Sequence, residues 1–469
     1  RAQGPRAAGT ANSGLDQPPG GGGHDERLII HTLCLKKVDR HRFDYDEEYL
    51  RQPDPTPLSV SMPTAVKSHS DEVVSPWLWG LLPDNFSVLG SWAREFQVLP
   101  SSPAALLGSP VGEDCAGAVR FAPPDQLVEF LSDGAEVAWL SDDEVSQRLR
   151  ELRQDATAWL GRDPKSRFSL SGAQAKTALM RLDGRWGVPN GALPTTHILK
   201  PAVTGLEDHD LNEHLCLEAA RRAGLLAART SIERFGEESA IVVERYDRAS
   251  AGGRIQRIHQ EDMCQALGVM PSRKYQSDGG PSAGDIAALI RRVMTPAAAE
   301  EAVSRFADAL IWNWLIAGTD AHAKNYSVLL AGNQVRLAPL YDVASGLPYA
   351  VHEKKLRFAM KIGGDYRVWG HPAHDTWTAA SRELGLDPER LRSRVRELGG
   401  RIADAFIDAA ATEQVRAMES PLPAKLVDLV ATRAERCTRL PEPGRGAMPS
   451  SRPPGVPGLE LPGNDPPAP

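Results

Sequence analysis

The chain has 469 residues, 41% of them hydrophobic and 25% charged, which is enough apolar material for two or three domains with real cores. A formal charge of −7 argues against broad, non-specific attachment to nucleic acid or to an anionic membrane and leaves only a local basic patch as a route to either. The five cysteines, Cys34, Cys115, Cys216, Cys264 and Cys437, are scattered with no C-x-x-C pair, so the sequence points away from a disulfide framework or zinc site and toward a reducing compartment.

Residues 1–26 are rich in Gly, Pro, Ala and Arg and read as an unstructured leader without the apolar core of a signal peptide, which makes the cytoplasm the expected location. Residues 27–150 mix short β-like runs (RLIIHTLCL, PLSVSM, CAGAVRF) with short helical ones. Residues 151–257 add four strand candidates, RFSLSG, KTALMRL, HILKPA and SAIVVERY. One amphipathic helix, NEHLCLEAARRAGL, interrupts them, with Leu215, Ala219, Ala220 and Ala223 on one face and Gly224 as its stop. From 258 to 440 helices dominate: EDMCQALG, GDIAALIRRVM, PAAAEEAVSRFADALIWNWLIAG and RLRSRVRELGGRIADAFIDAA. A hairpin, YSVLLAGNQVRLAPL, breaks the series at Gly332-Asn333. Residues 441–469 form a proline-rich tail that reads as unstructured. The longest apolar run, FADALIWNWLIA, is shorter than a membrane span and is interrupted by Asp308 and Asn313. A β-rich half followed by a helical half predicts a cleft between two lobes, a common place for a ligand.

That apolar run leads into GTDAHAKNYS, Gly318 to Ser327. Asp320 and Asn325 stand five residues apart, the spacing of the protein-kinase catalytic loop, where the acid takes the acceptor's proton and the asparagine holds Mg²⁺. The hairpin that follows returns to Tyr341-Asp342, bringing a second acid beside Asn325. Mg²⁺ prefers hard oxygen ligands and takes few protein carboxylates, which this pair supplies. His322 and Lys324 lie on the same turn. Singly, each residue is better explained as a polar helix end; the three together with their hairpin favour phosphoryl transfer.

An ATP site also needs a phosphate cradle and a cation. Neither G-x-x-x-x-G-K-[ST] nor G-x-G-x-x-G is present. SLSGAQAKTALM, Ser169 to Met180, offers small residues in a turn that lets backbone N–H groups approach phosphate oxygens, with Lys176 adding charge; taken alone, an ordinary hairpin fits as well. Lys200 ends THILK, where a kinase keeps its phosphate lysine, although a snorkelling surface lysine fits the position equally. VVERYD, Val242 to Asp247, is a candidate connection between the lobes, with backbone groups of Glu244, Arg245 and Tyr246 toward an adenine. Glu213 is a candidate partner for Lys200, but a plain surface glutamate is the favoured reading of its position.

These residues together resemble the HipA family, the serine/threonine-protein kinase toxins of bacterial HipA–HipB toxin–antitoxin pairs. The motifs that carry the resemblance are GLLPDN (80–85), DCAGAVRF (114–121), SLSGAQAKTAL (169–179), PTTHILKP (194–201), NEHLCLEAARRAGL (212–225), VVERYDR (242–248), HQEDMCQALG (259–268), KYQSDGGPS (274–282), GTDAHAKNYS (318–327), PLYDVASGLPY (339–349) and FAMKIGG (358–364). The resemblance implies an α+β, two-lobed protein-kinase-like fold with a mixed α/β N-terminal half and an all-helical C-terminal half, binding ATP and Mg²⁺ between them. It implies protein serine/threonine kinase activity, with glutamyl-tRNA synthetase as the target in the best-studied relatives, and partnership with a HipB-type DNA-binding antitoxin on operator DNA. By the same resemblance Asp320 is the catalytic base and Asn325 and Asp342 are the metal ligands. Ser171, Gly172, Ala173, Gln174, Ala175 and Lys176 form the phosphate loop, and Lys200 is the phosphate lysine. Glu244, Arg245 and Tyr246 form the adenine hinge. His322, Ala323, Lys324, Asn325, Tyr341 and Asp342 supply the remaining nucleotide contacts.

Ser169 falls on the serine whose autophosphorylation switches the family off. A phosphoserine beside a phosphate loop adds close to two negative charges and repels ATP from it. Two departures stand out: Ser171 replaces a small apolar residue, which leaves open whether Ser169 or Ser171 is modified, and Ala175 replaces a longer, often acidic one. The main rival is a non-catalytic module that binds an antitoxin as co-repressor, against which the intact Asp–Asn–Asp set speaks. A small-molecule kinase shares the D-x-x-x-x-N logic but does not predict SLSGAQAKT or GLLPDN.

Overall fold

The computed structural model describes residues 6–9, 31–37 and 40–438, apart from 133, 161–167, 191, 252–253 and 368–372. The tail 441–469 and most of the leader lie outside the described residues. Within the expected leader, Arg6–Gly9 nonetheless pairs antiparallel with Val119–Ala122, whose edge would otherwise present unpaired backbone groups.

The centre of the N-terminal half is a six-stranded antiparallel sheet in the order Thr230–Phe235, Glu238–Glu244, His197–Lys200, Thr177–Leu182, Arg185–Pro189, Val137–Leu140. The last of these comes from before residue 151. This sheet therefore begins before residue 151, where Val137–Leu140 caps the open edge of Arg185–Pro189. KTALMRL, HILK and the SAIVVE part of the fourth candidate are strands as expected. RFSLSG is not: Ser169 makes only an isolated bridge to Cys115. PLSVSM is a tight turn closed between Ser59 and Met62 rather than a strand.

The segment before the sheet is not a separate body. Phe43, Trp77, Trp92 and Phe121 share one buried cluster with Trp159, Leu179, Leu199 and Val242 of the lobe. A second cluster lies in the C-terminal half. It joins Leu215, Ala219 and Ala220 of the helix His209–Arg222 to Phe306, Trp312, Trp377, Leu398 and Phe406. That helix ends where the sequence places its stop, with Gly224 at φ +91°, a conformation glycine adopts without Cβ strain.

The C-terminal half is mostly helical but includes two small sheets. Ser327–Ala331 and Gln334–Leu337 form the expected hairpin, and His259–Asp262 adds a third strand against Ser327–Leu330. The run EDMCQALG is therefore split. Its first residues pair as a strand, and Asp262 then caps the short helix Met263–Ala266 by accepting the Gln265 N–H at 2.9 Å. A further hairpin joins Arg357–Ile362 to Asp365–Arg367. Among the described residues no helix is long and apolar enough to cross a membrane. Cys115, Cys216, Cys264 and Cys437 are free and buried.

Candidate active site

The helix Pro296–Ile316 is buried all round through its last two turns, so it cannot shift without disturbing the core. It ends at Ala317, in the left-handed region at φ +53°, and the Gly318 N–H closes back on the Asn313 carbonyl at 2.7 Å. Gly318 has no freedom to be larger, since a Cβ there would lie 2.2 Å from Asn313 Oδ1. The chain leaves this anchor as a tight loop. The His322 N–H donates to the Asp320 carbonyl at 2.8 Å, and Asn325 Nδ2 donates to the same carbonyl at 2.8 Å. Asn325 is thereby oriented with its amide oxygen free of that bond.

The hairpin then carries the chain back to Tyr341-Asp342. Its return is fixed by Leu340, which donates to the Leu226 carbonyl at 2.9 Å and accepts from the Ala228 N–H at 2.7 Å. Asp342 sits at φ +57°, a strained conformation for a non-glycine residue and one common at functional sites. Its Oδ1 accepts from Lys200 Nζ at 2.7 Å, and the same ammonium reaches Glu213 Oε1 at 2.8 Å. Lys200 is thus no snorkelling surface lysine. Glu213 is no surface glutamate either: it is 1% exposed on the face of its helix that meets the sheet. Burial opposes the charge on Lys200, but Asp342 and Glu213 outweigh it and hold the lysine protonated well above its ordinary range. Burial likewise opposes ionisation of Asp342, and Lys200 with Lys176 overcomes it, so this carboxyl stays ionised below the usual carboxylate range. Glu213 moves the other way, upward, because its burial exceeds the help it gets from Lys200.

These residues line one cleft of about 690 Å³, within the range of small-molecule sites. Ser171, Gly172, Ala173, Gln174 and Lys176 form one wall, Glu244, Arg245 and Tyr246 another, and Asp320, His322, Lys324, Asn325, Tyr341 and Asp342 the floor. Ala175 and Ala323 do not line it; they pack behind it, Ala323 fully buried. Gly172 is at φ +106°, and a Cβ there would meet Lys176 Nζ at 2.5 Å. Lys176 folds back to donate to the Ser171 carbonyl at 2.6 Å, and burial beside Lys200 pushes its ammonium down to about 8. Ser169 lies outside the cleft, buried, with its hydroxyl on the Leu81 carbonyl at 2.8 Å.

At the connection between the lobes, the Glu244 and Arg245 N–H groups are used by the carbonyls of Arg229 and Thr196, each at 2.9 Å. The Arg245 guanidinium points into a buried ionic cluster with Asp114 and Asp247 and away from any ligand role. Tyr246 and Tyr341 pack against each other with ring centroids 5.5 Å apart. The Tyr341 hydroxyl donates to the Lys324 carbonyl at 2.6 Å, and the Tyr246 hydroxyl bonds Gln260.

Two cleft residues have no role assigned from sequence, although their motifs are visible there. Asp84, from GLLPDN, binds Lys324 Nζ at 2.7 Å through one oxygen and Lys274 Nζ at 2.8 Å through the other, while its N–H donates to the Gly172 carbonyl at 3.0 Å. Tyr275, from KYQSDGG, donates to Asp320 Oδ1 at 2.7 Å. Only the topology reveals that these distant stretches converge.

The fold and this cleft are those of the two-lobed protein-kinase-like class. Two family models match the chain: a HipA N-terminal domain over residues 29–122 and a HipA-like C-terminal domain over residues 168–406. The chain belongs to the HipA family. It is 34% identical to Y4mE of Sinorhizobium fredii, a protein named only provisionally as a kinase, over 78% of this chain and 87% of that one. It is 29% identical to the serine/threonine-protein kinase toxin HipA of Shewanella oneidensis, over 75% of this chain and 80% of the toxin. HipA solved in a Shewanella oneidensis complex with HipB and operator DNA superposes with a TM-score of 0.75 at 26% identity, over 89% of this chain and 97% of that one.

Proposed function

We propose that this chain is an ATP- and Mg²⁺-dependent serine/threonine protein kinase of the toxin type. The observation that carries the reading is the Lys200–Asp342 ion pair across the cleft, with Glu213 behind it and Asp320 and Asn325 on the same floor. A lysine held between a helix glutamate and the acid after the catalytic hairpin is the arrangement that positions phosphates in kinases.

The donor set suits Mg²⁺. Among the described residues no group of three or more His, Cys, Asp or Glu could cage an ion. What the two ends of the hairpin offer is one carboxylate, Asp342, and one oriented amide oxygen, Asn325, which matches an ion held jointly with a nucleotide's phosphates. When bound there, Mg²⁺ supplies neutralisation of charge on the β- and γ-phosphates. Lys200 positions the α- and β-phosphates, and the backbone of Ser171 to Lys176 cradles them. Backbone groups of Glu244 to Tyr246 would face the adenine, on a part of the cleft also lined by Ile198 and Tyr341. Asp320 accepts the proton of the acceptor serine as the new O–P bond forms and the bond from the γ-phosphorus to the bridging oxygen breaks, releasing ADP. Positioning and electrostatics supply most of the rate.

The target is a protein, with an aminoacyl-tRNA synthetase such as glutamyl-tRNA synthetase as the first to test, so that phosphorylation stops translation and growth. Autophosphorylation at Ser169 or Ser171 ends activity. The net charge of −7 suits a protein that reaches operator DNA through a basic, HipB-type partner rather than alone. The test is incubation with labelled ATP and a synthetase. Asp320→Asn is expected to bind ATP as the wild type does and to lose at least about 100-fold in transfer. Full activity in that variant removes Asp320 as the base. No transfer by the wild type leaves the co-repressor role instead.

A further inference from the structure

The stretch KYQSDGGPS, 274–282, has no part in the mechanism above, yet it stands against the acceptor side of the cleft. Asp320 presents a side chain that is 70% exposed. A carboxylate so open would sample several rotamers unless something held it, and a base must be held to meet its proton. Tyr275 supplies the hold, donating its hydroxyl to Asp320 Oδ1 at 2.7 Å.

Tyr275 is itself braced on both sides. Lys274 before it is tied to Asp84 by its ammonium, and its carbonyl accepts the Ala323 N–H of the catalytic loop at 3.3 Å. Gln276 after it accepts the Lys361 N–H at 2.7 Å. The Tyr275 carbonyl accepts the N–H groups of Asp278 and Gly280, both at 3.0 Å. That turn closes only on a glycine, since a Cβ at Gly280 would lie 2.0 Å from the Arg273 carbonyl oxygen. The Tyr275 ring stands edge-on to the His322 ring with centroids 5.1 Å apart. His322 Nε2 is 4.0 Å from Asp320 Oδ2, beyond a hydrogen bond. Among the described residues Oδ1 therefore has a fixed donor and Oδ2 has none.

We infer that Tyr275 is a positioning residue for the phosphoryl-transfer step: its hydroxyl pins Asp320 Oδ1 so that Oδ2 is presented to the acceptor hydroxyl. The inference rests on the kinase reading of the cleft. Tyr275 touches neither nucleotide nor acceptor; it acts through Asp320.

The experiment compares the full chain as wild type, Tyr275→Phe and Tyr275→Ala. It measures labelled phosphate incorporation into the chain and into dephosphorylated casein at saturating ATP, ATP affinity by calorimetry, and thermal melting. Tyr275→Phe keeps the ring and loses only the donor. It is expected to lower the rate constant about 10- to 100-fold, the effect of one hydrogen bond to a charged group, with ATP affinity within about twofold and melting unchanged. A purely structural role would leave Phe at the wild-type rate and impair only Ala, and that result overturns the inference. A Phe variant faster than wild type overturns it too, since Tyr275 would then be a placeholder that the acceptor must displace. If the wild type transfers no phosphate, the kinase reading falls and the inference falls with it; an active wild type with a normal Phe variant sinks the Tyr275 assignment alone.

Discussion

Asp84 offers the sharpest test of how the N-terminal segment contributes to the cleft. Its carboxylate is 12% exposed and pairs with two ammonium groups, Lys324 at 2% and Lys274 at 15% exposure. Asp84→Ala leaves both cations without their partner while keeping the backbone bond to Gly172. Breaking a buried pair by removing one member costs about 3–5 kcal/mol, because an uncompensated charge stays behind. Lys274 can reach water, so the lower end, about 3 kcal/mol, is expected, most of it from Lys324. For a cooperative unit of about 400 residues that corresponds to a fall in melting temperature of roughly 3–4 °C. The double variant Asp84→Ala/Lys324→Met removes the stranded charge and should recover at least half of the loss, which a double-mutant cycle by calorimetry measures. The pH dependence has a definite sign. Burial raises the Asp84 carboxyl, but Lys324 and then Lys274 outweigh it, so its folded value is depressed. Its contribution is therefore present above the unfolded carboxylate value near 4 and is lost as pH falls through the lower folded value. Lys324 is shifted upward, its burial outweighed by Asp84, so its share is present below about pH 10 and lost as pH rises further. Between those limits the wild type should exceed Asp84→Ala throughout, by a margin that also follows Asp262, which burial, with a contribution from Asp84, pushes up to about 6. A melting difference under about 2 °C at pH 7, or no recovery in the double variant, would refute the argument that the charges, not the loop, are at stake.

Asp342→Ala is expected to weaken Mg-ATP binding by at least about tenfold by calorimetry, while binding of ATP in excess chelator falls less; equal affinity in both conditions removes Asp342 from the metal site. Ser169→Asp places a carboxylate where a buried hydroxyl meets the Leu81 carbonyl, so it should release the phosphate loop and abolish ATP binding with the rest of the fold intact. Ser169→Ala should bind ATP normally at a cost of about 1 kcal/mol in stability. ATP binding by the Asp variant at wild-type affinity would refute a switch at Ser169.

The tight loop from Asp320 to Asn325, the hairpin and the stop at Gly224 were legible because each is a local pattern: a count of residues, a turn dipeptide, a glycine after an apolar face. Glu213 was misread for the complementary reason. Nothing in NEHLCLEAARRAGL says that both faces of this helix are covered; Asp210, Asn212, Glu213 and His214 are all buried. Such a pattern looks half-solvated until the sheet on one side and the C-terminal helices on the other are in place. EDMCQALG misleads similarly, since its strand exists only because Ser327–Leu330 lies alongside. RFSLSG has the composition of a strand, but its described residues find only isolated bridges, from Ser169 to Cys115 and from Gly172 to Pro83. Asp84 and Tyr275 sit in motifs that are plain in the sequence, but their roles depend on partners 240 and 45 residues away.

The same long-range logic bears on how the cleft can move. Asp114, from the N-terminal segment, meets Arg245, Arg248 and Arg257, and Asp247 pairs with the first two. All five side chains are at most 7% exposed. Three guanidiniums face two carboxylates, and the excess charge is met by carbonyl oxygens of Cys115, Gly117 and Thr195. Burial and the neighbouring Arg245 pull Arg248 down to about 10, as a surplus cation in a dry cluster requires. Opening such a cluster would strand ions away from water at a cost of several kcal/mol each. The connection at Glu244–Tyr246 is therefore clamped to the N-terminal segment, and lobe motion has to be taken up elsewhere. The Ser171–Gln174 loop is tied more lightly, through Gly172 to Asp84 and through Gln174 to Pro201. On the kinase reading proposed above, a nucleotide entering this cleft would meet a fixed hinge and an adjustable phosphate wall, so its phosphates rather than its base would be where binding and any modification of Ser169 compete.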